Sequence, residues 1–181
     1  MTTDPSFSVH PFDNFLWVRL HTRGSFMNSS NLRTAVERYL ADGGNSVVID
    51  LEICSGVDST FMGTLVGLSN LCEDKEGSLQ LASPTARTRS AMESLGLDLI
   101  IDIDPEDATW QEQLEEIRAT VEALHPQELD TTVKPISEIE RSHHVLDAHK
   151  ALCGLNEKNE ETFGYVCESL EEELRRRNNA E

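Results

Sequence analysis

Apolar and polar positions along this chain follow two patterns, and the change falls near residue 104. Before it, short strand-like runs alternate with helical stripes. Phe15-Leu16-Trp17-Val18-Arg19-Leu20 predicts a strand, hairpinned with Phe7–Phe12 through Asp13-Asn14. Asn28-Ser29-Ser30-Asn31 is a cluster of helix-capping residues. It opens a helix with Leu32, Val36, Tyr39 and Leu40 on one stripe, stopped by Gly43-Gly44. Ser46-Val47-Val48-Ile49-Asp50-Leu51 is nearly continuous in apolar residues, the pattern of a strand buried on both faces. A second helix begins around Asp58 and spaces Phe61, Leu65, Leu68 and Cys72 along one side. Ser78–Ala82 predicts a strand, Pro84–Leu95 a helix ended by Gly96, and Leu99–Ile103 a final strand. The order β, β, α, β, α, β, α, β predicts an α/β fold, with a mixed β-sheet covered by crossover helices.

After Asp104-Pro105 every apolar stripe has helical spacing. The residue before a proline is pushed out of the helical region, so this dipeptide predicts a boundary between residues 1–104 and an all-α C-terminal extension, 105–181. Leu114, Ile117, Val121 and Leu124 form one seam, stopped by Pro126; Ile136, Ile139, Leu146 and Cys153 form a second; Phe163, Val166, Cys167, Leu170 and Leu174 form a third. About three helices follow, each with a narrow apolar seam and an acidic face. Such helices are marginal alone in water. Their seams must pack on each other, on the sheet domain, or on a second copy in a homo-oligomer.

Charge sharpens this division. The chain of 181 residues carries 33 acidic and 15 basic side chains, a net charge of −18. Residues 1–104 hold 14 acids and 7 bases, whereas the shorter extension holds 19 and 8. A chain this acidic repels phosphate, which argues against duplex DNA or RNA and against anionic membrane surfaces. No apolar run approaches the ~20 residues of a membrane span, and the first residues, MTTDPSFSVHPF, have neither a basic nor an apolar signal region. These features point to the cytoplasm. Cys54, Cys72, Cys153 and Cys167 are widely spread, without a CxxC, and read as buried thiols.

One segment concentrates candidate chemistry. The strand ending Ile49-Asp50-Leu51 runs through a short loop to Val57-Asp58-Ser59-Thr60-Phe61-Met62-Gly63. Asp58 is placed to cap the helix, with Ser59 and Thr60 in its first turn beside unpaired backbone N–H groups. The position lies at the carboxyl end of a buried strand, where α/β proteins build sites. A phosphate on Ser59 would meet the favourable end of a helix dipole and add about 1.5 to 2 negative charges beside Asp58. Asp-Ser-Thr before an apolar run is also simply a good helix start. Gly63, in the second turn, costs on the order of 1 kcal/mol against alanine, which predicts a close packing contact.

These residues carry a resemblance. The Ile49-Asp50-Leu51 strand end, the Val57-Asp58-Ser59-Thr60 turn and the helix with Gly63 and Leu65-Val66-Gly67 resemble the STAS domain of bacterial anti-sigma-factor antagonists. The element order over about residues 7–103 is similar too. The resemblance implies a non-enzymatic regulatory protein without cofactor. In that family the serine after the aspartate is phosphorylated by an anti-sigma factor that is a serine kinase. The unmodified antagonist binds that kinase and frees a sigma factor, and a metal-dependent phosphatase restores it. By position the phosphoacceptor is Ser59, with Thr60 as alternative, and Asp58, Ser59, Thr60, Phe61 and Met62 form the partner-binding turn. Many antagonists have Gly and Leu where this chain has Phe61 and Met62, and the helical extension is not part of the minimal family domain.

Other clusters point to less. His143, His144, Asp147 and His149 are the densest set of potential metal ligands. One helix supplies few convergent ligands, and His143 falls on the seam of Ile139 and Leu146, so these read as surface or interface histidines. Arg87 and Arg89, beside Thr85 and Thr88, read as surface arginines. The chain has no G-x-S-x-G elbow, no phosphate-binding glycine loop and no calcium loop, so no catalytic residue is assigned. Two alternatives to the phosphorylated antagonist stand beside it. One is a non-phosphorylated scaffold oligomerised by the C-terminal helices; the other is a nucleotide or small-ligand binding domain using the helix start at Ser59.

Overall fold

The computed structural model describes residues 6–123 and 136–179. Strands β1 (Phe7–Pro11) and β2 (Leu16–Leu20) form the expected antiparallel hairpin. There follow α1 (Ser29–Ala41), β3 (Val47–Asp50), α2 (Ser59–Glu73), β4 (Leu79–Ala82), α3 (Ala86–Ser94) and β5 (Asp102–Ile103). Then come α4 (Leu114–Ala123), α5 (Glu138–Cys153) and α6 (Glu157–Asn178). The sheet is five-stranded in the order β1-β2-β3-β4-β5, and β2 to β5 are parallel. This is the mixed α/β sheet with helical C-terminal segments that the alternating pattern implies. Leu124 and Pro126 lie outside the described residues.

The last strand is shorter than its apolar run suggests. Leu97–Leu99 forms a 3-10 turn after Gly96, which sits at φ 80°, and only Asp102 and Ile103 pair with β4. Leu99 is 81% exposed, while Leu97 and Ile101 reach the core. The run is apolar because Ile101 enters the core and Ile100 and Ile103 pack against it, not because a strand is buried along its length.

The alternation of strand side chains builds two cores. Leu16, Val18, Leu20, Val47, Ile49, Leu79 and Leu81 face a large cluster with Leu32, Val36, Phe61, Leu65, Leu68 and Met92 from α1, α2 and α3. Trp17, Val48 and Ala82 point the other way, onto Trp110, Ile117 and Val121, so α4 covers the second face of the sheet. Trp17 and Trp110 meet edge to face at 5.8 Å, and Trp110 Nε1 donates to Gln80 Oε1.

Beside this second core lies a buried ion cluster. Asp50 is wholly buried. Its carboxylate accepts from Arg19 Nη1 at 2.6 Å and from Arg118 Nε and Nη2 at 3.0 and 2.9 Å. Glu52 accepts from both arginines, and Ser83 Oγ accepts from Arg118. Burial works against the Arg118 charge, but the hydrogen bonds and charges of Asp50, Glu52 and Glu115 outweigh it and raise its pKa. The cluster clamps α4 to the ends of β2 and β3. A lone Asp50 in an apolar strand and a lone Arg19 in another were the sequence signals for it, since a buried charge needs a partner.

The two C-terminal helices use their seams within the chain. Ile139, Leu146 and Cys153 of α5 pack on Cys167, Leu170 and Leu174 of α6. The acidic run at the end of α6 pairs with its arginines at one-turn spacing, as Glu172–Arg176 and Glu173–Arg177.

Replacing Asp50 by alanine strands two buried guanidinium groups. The expected cost is about 3–5 kcal/mol, read as a lower urea midpoint. A loss near zero would mean that the cluster is solvated rather than buried.

Candidate functional site

The Ser59 turn is assembled from two loops strapped together. The β3–α2 loop meets the β2–α1 loop through Gly24 N donating to the Gly56 carbonyl and Asp58 N donating to the Gly24 carbonyl, both at 2.9 Å. Gly24 is required there: a Cβ would lie 2.8 Å from the Phe61 ring. Asp58 caps α2 as expected. Its Oδ1 accepts from Phe61 N at 2.8 Å, and its Oδ2 accepts from Phe26 N at 2.9 Å, so one carboxylate holds the helix start and the neighbouring loop. Phe26, Met27 and Ile53, all in these two loops, are exposed large apolar side chains.

The turn does not present all its residues alike. Asp58 and Ser59 are half-buried. Thr60 and Met62 are buried, and Phe61 is completely so, within the main core. As the chain stands, a molecule approaching this turn meets Asp58 and Ser59 rather than Phe61 or Met62.

Ser59 is not free. His149 of α5 places Nε2 3.1 Å from Ser59 Oγ. The other ring nitrogen, Nδ1, lies 2.8 Å from the Val145 carbonyl, which can only accept, so Nδ1 carries the hydrogen. In the tautomer this leaves, Nε2 is the acceptor facing the Ser59 hydroxyl. The Phe163 ring flanks His149 at 5.4 Å in a tilted arrangement.

A second histidine repeats the arrangement one turn earlier in α5. His144 Nε2 lies 2.8 Å from Ser29 Oγ at the start of α1, and 3.4 Å from Thr64 Oγ1 of α2. Thr64 itself donates to the Thr60 carbonyl. Burial, and then the Arg33 charge, lower the His144 pKa against opposing pulls from Asp147 and Glu37. Between the two histidines the backbones of α2 and α5 touch. A Cβ on Gly63 would lie 2.0 Å from the Ala148 carbonyl oxygen. The sequence anomaly at Gly63 is this contact.

The histidine cluster therefore divides. His144 and His149 are buried at the α2–α5 interface, whereas His143 is exposed, which corrects its placement on the seam. Beside the Ile139–Leu146–Cys153 seam that meets α6, a second face of α5 carries His144, Ala148 and Leu152 every four positions and meets the main domain. Two of these three are not aliphatic side chains of large size, so the stripe gave little apolar signal. Among the described residues no three His, Cys, Asp or Glu side chains are grouped to hold a metal. Arg89 pairs with Asp104, whereas Arg87 is exposed. Burial pushes the Cys72 and Cys167 thiols up to about 11, so neither is a ready nucleophile.

A five-stranded mixed sheet of this order, with Ser59 opening the Asp58-capped helix after its central parallel strand, defines a small α/β domain. The chain belongs to the STAS domain family, whose pattern matches residues 7–121 and so includes α4. Solved structures that share the fold include two anti-sigma factor antagonists. A candidate anti-sigma factor antagonist from Thermotoga maritima is 22% identical, with a TM-score of 0.53 over 62% of this chain and 94% of its own. The unphosphorylated anti-sigma factor antagonist SpoIIAA of Bacillus is 19% identical, with a TM-score of 0.50 over 62% of this chain and 96% of its own. None of the curated proteins matches the sequence. No helix among the described residues is long and apolar enough to cross a membrane.

Two outcomes follow from the geometry. Asp58→Ala removes the cap and the tie to Phe26, at an expected cost of about 1–2 kcal/mol in urea unfolding. The lowered His144 pKa means that the unfolded chain takes up this proton at a higher pH than the folded one. That contribution to stability is complete above the ordinary histidine range and is lost as pH falls through about 6.5 towards the folded value. The decline in Tm from about pH 7.5 to 5.5 is expected to be shallower in His144→Gln; identical slopes would remove His144 as its source.

Proposed function

We propose that this chain is a non-enzymatic, cytoplasmic regulatory module of the anti-sigma-factor antagonist type, switched by phosphorylation of Ser59. It acts on sigma-factor-dependent transcription by binding an anti-sigma factor that is also a serine kinase. The observation that carries this reading is the placement of Ser59. Its hydroxyl follows the capping Asp58 at the first position of α2, and the helix start lies at the carboxyl end of β3. An added phosphate here changes the charge of a turn that two strapped loops present. The neutral Ser59 hydroxyl is suited to protein contact, while a phosphate brings like-charge repulsion beside Asp58 and a desolvation cost at any interface. The helix start itself tolerates the anion. A serine phosphatase would restore the Ser59 hydroxyl. Thr60 is the weaker candidate acceptor, because it is buried.

Incubation with a cognate anti-sigma-factor kinase and ATP tests the reading. The expected result is one added phosphoryl group by intact mass, absent in Ser59→Ala, together with loss of kinase binding after modification. Equal labelling of the alanine variant would move the acceptor elsewhere. No labelling of an opened and accessible Ser59 would leave the scaffold reading in its place.

A further inference from the structure

The residues beyond the STAS match carry a further inference, which rests on Ser59 as phosphoacceptor only for its physiological trigger. We infer that the α5–α6 hairpin is an intramolecular cover of the Ser59 turn, and that docking of α5 and phosphorylation of Ser59 exclude one another.

Three contacts on one line place the cover. His149 meets Ser59 at 3.1 Å, Ala148 meets Gly63 backbone to backbone, and His144 meets Ser29 at 2.8 Å. Together they lay α5 across the first half of α2, which begins with the serine, and the start of α1. The far end of the hairpin is held separately. Asn156 and Asn159 donate to the Leu95 carbonyl, and Lys158 Nζ donates to the Ser94 carbonyl, all at the end of α3. The α5–α6 corner thus has its own anchor, about which the histidine-bearing part of α5 lifts.

The cover and the phosphate compete for one space. In the closed chain the 3.1 Å between Ser59 Oγ and His149 Nε2 holds one hydrogen and nothing else. Phosphoryl transfer from ATP forms a bond from Oγ to the γ-phosphorus and breaks the bond to the β-phosphate oxygen. ADP leaves, and the hydroxyl proton goes to solvent or to the kinase. The histidine loses the donor it accepted from, and three phosphate oxygens enter the gap. Helix α5 cannot yield by sliding closer elsewhere, because at Gly63 the two backbones are already in contact. The kinase meets the same obstacle, since the hydroxyl it needs is engaged by α5. Opening of the hairpin therefore gates the modification, and the phosphate then holds it open.

Amide hydrogen exchange on the full chain, read by mass spectrometry, tests the cover without a kinase. Two chains are compared with the wild type: Gly63→Ala, and a chain with phosphoserine placed at position 59 during translation. Alanine improves the helix propensity of α2 while its methyl group strikes the Ala148 carbonyl, so the substitution separates α5 docking from helix stability. Exchange in α5 is expected to rise at least ~10-fold in both chains, with β2, β3 and β4 unchanged. Wild-type protection of α5 in the phosphoserine chain overturns the proposal. Should Gly63→Ala fail to fold, the phosphoserine chain decides alone. Kinase labelling then separates the two readings. Faster labelling of Gly63→Ala than of the wild type supports both. An opened α5 with no labelling of either chain leaves the cover standing and removes the phosphoacceptor.

Discussion

The contact between Gly63 and the Ala148 carbonyl is the constraint on which the arrangement of the site depends. Two helices approach this closely only where one of them lacks a side chain. That approach sets the two histidines of α5 against hydroxyls of the sheet domain, His149 on Ser59 and His144 on Ser29. It also explains why α2 is buried around most of its circumference, Met62 and Val66 included, when its sheet-facing stripe needs only Phe61, Leu65, Leu68 and Cys72. A helix apolar on several sides requires more than one partner. Here the sheet and α1 supply one and α5 the other.

The opposite face of the sheet is organised by charge. Asp50 draws Arg19 from the neighbouring strand and Arg118 from α4, and Glu52 completes the cluster. Burying such charges yields little net stability, but leaving one without its partners is costly, so the cluster specifies where α4 sits. The two faces thus use different physics. One is closed by shape at a glycine and by hydroxyl–imidazole hydrogen bonds, the other by buried ion pairs. The acidity of the chain belongs to neither, since most of it lies on solvent-facing helix surfaces.

Much of this was legible in advance. The hairpin, the parallel strands and α1 to α3 follow from period-2 and period-3.6 patterns, and the α2 start follows from Asp58. The failures have local causes. Leu99–Ile103 read as a strand because its apolar residues are contiguous, yet a 3-10 turn after Gly96 uses them separately. His143 continues the apolar spacing of Ile139 and Leu146 yet is exposed. The face that meets α2 is instead His144, Ala148 and Leu152, a stripe of one small and one polar residue with a single leucine.

What the sequence alone determined is the order of elements and the place of Ser59 at a helix start. Both are set by side chains within one or two turns of each other, and alternation, capping and turn residues report such local forces directly. What only the tertiary structure decided is what lies over Ser59 and what holds Asp50. Their partners are 90 residues away for Ser59–His149 and 68 for Asp50–Arg118. Contacts across such separations leave no periodic trace. They reveal themselves beforehand only as residues out of keeping with their surroundings, a glycine inside a helix and a lone aspartate inside an apolar strand.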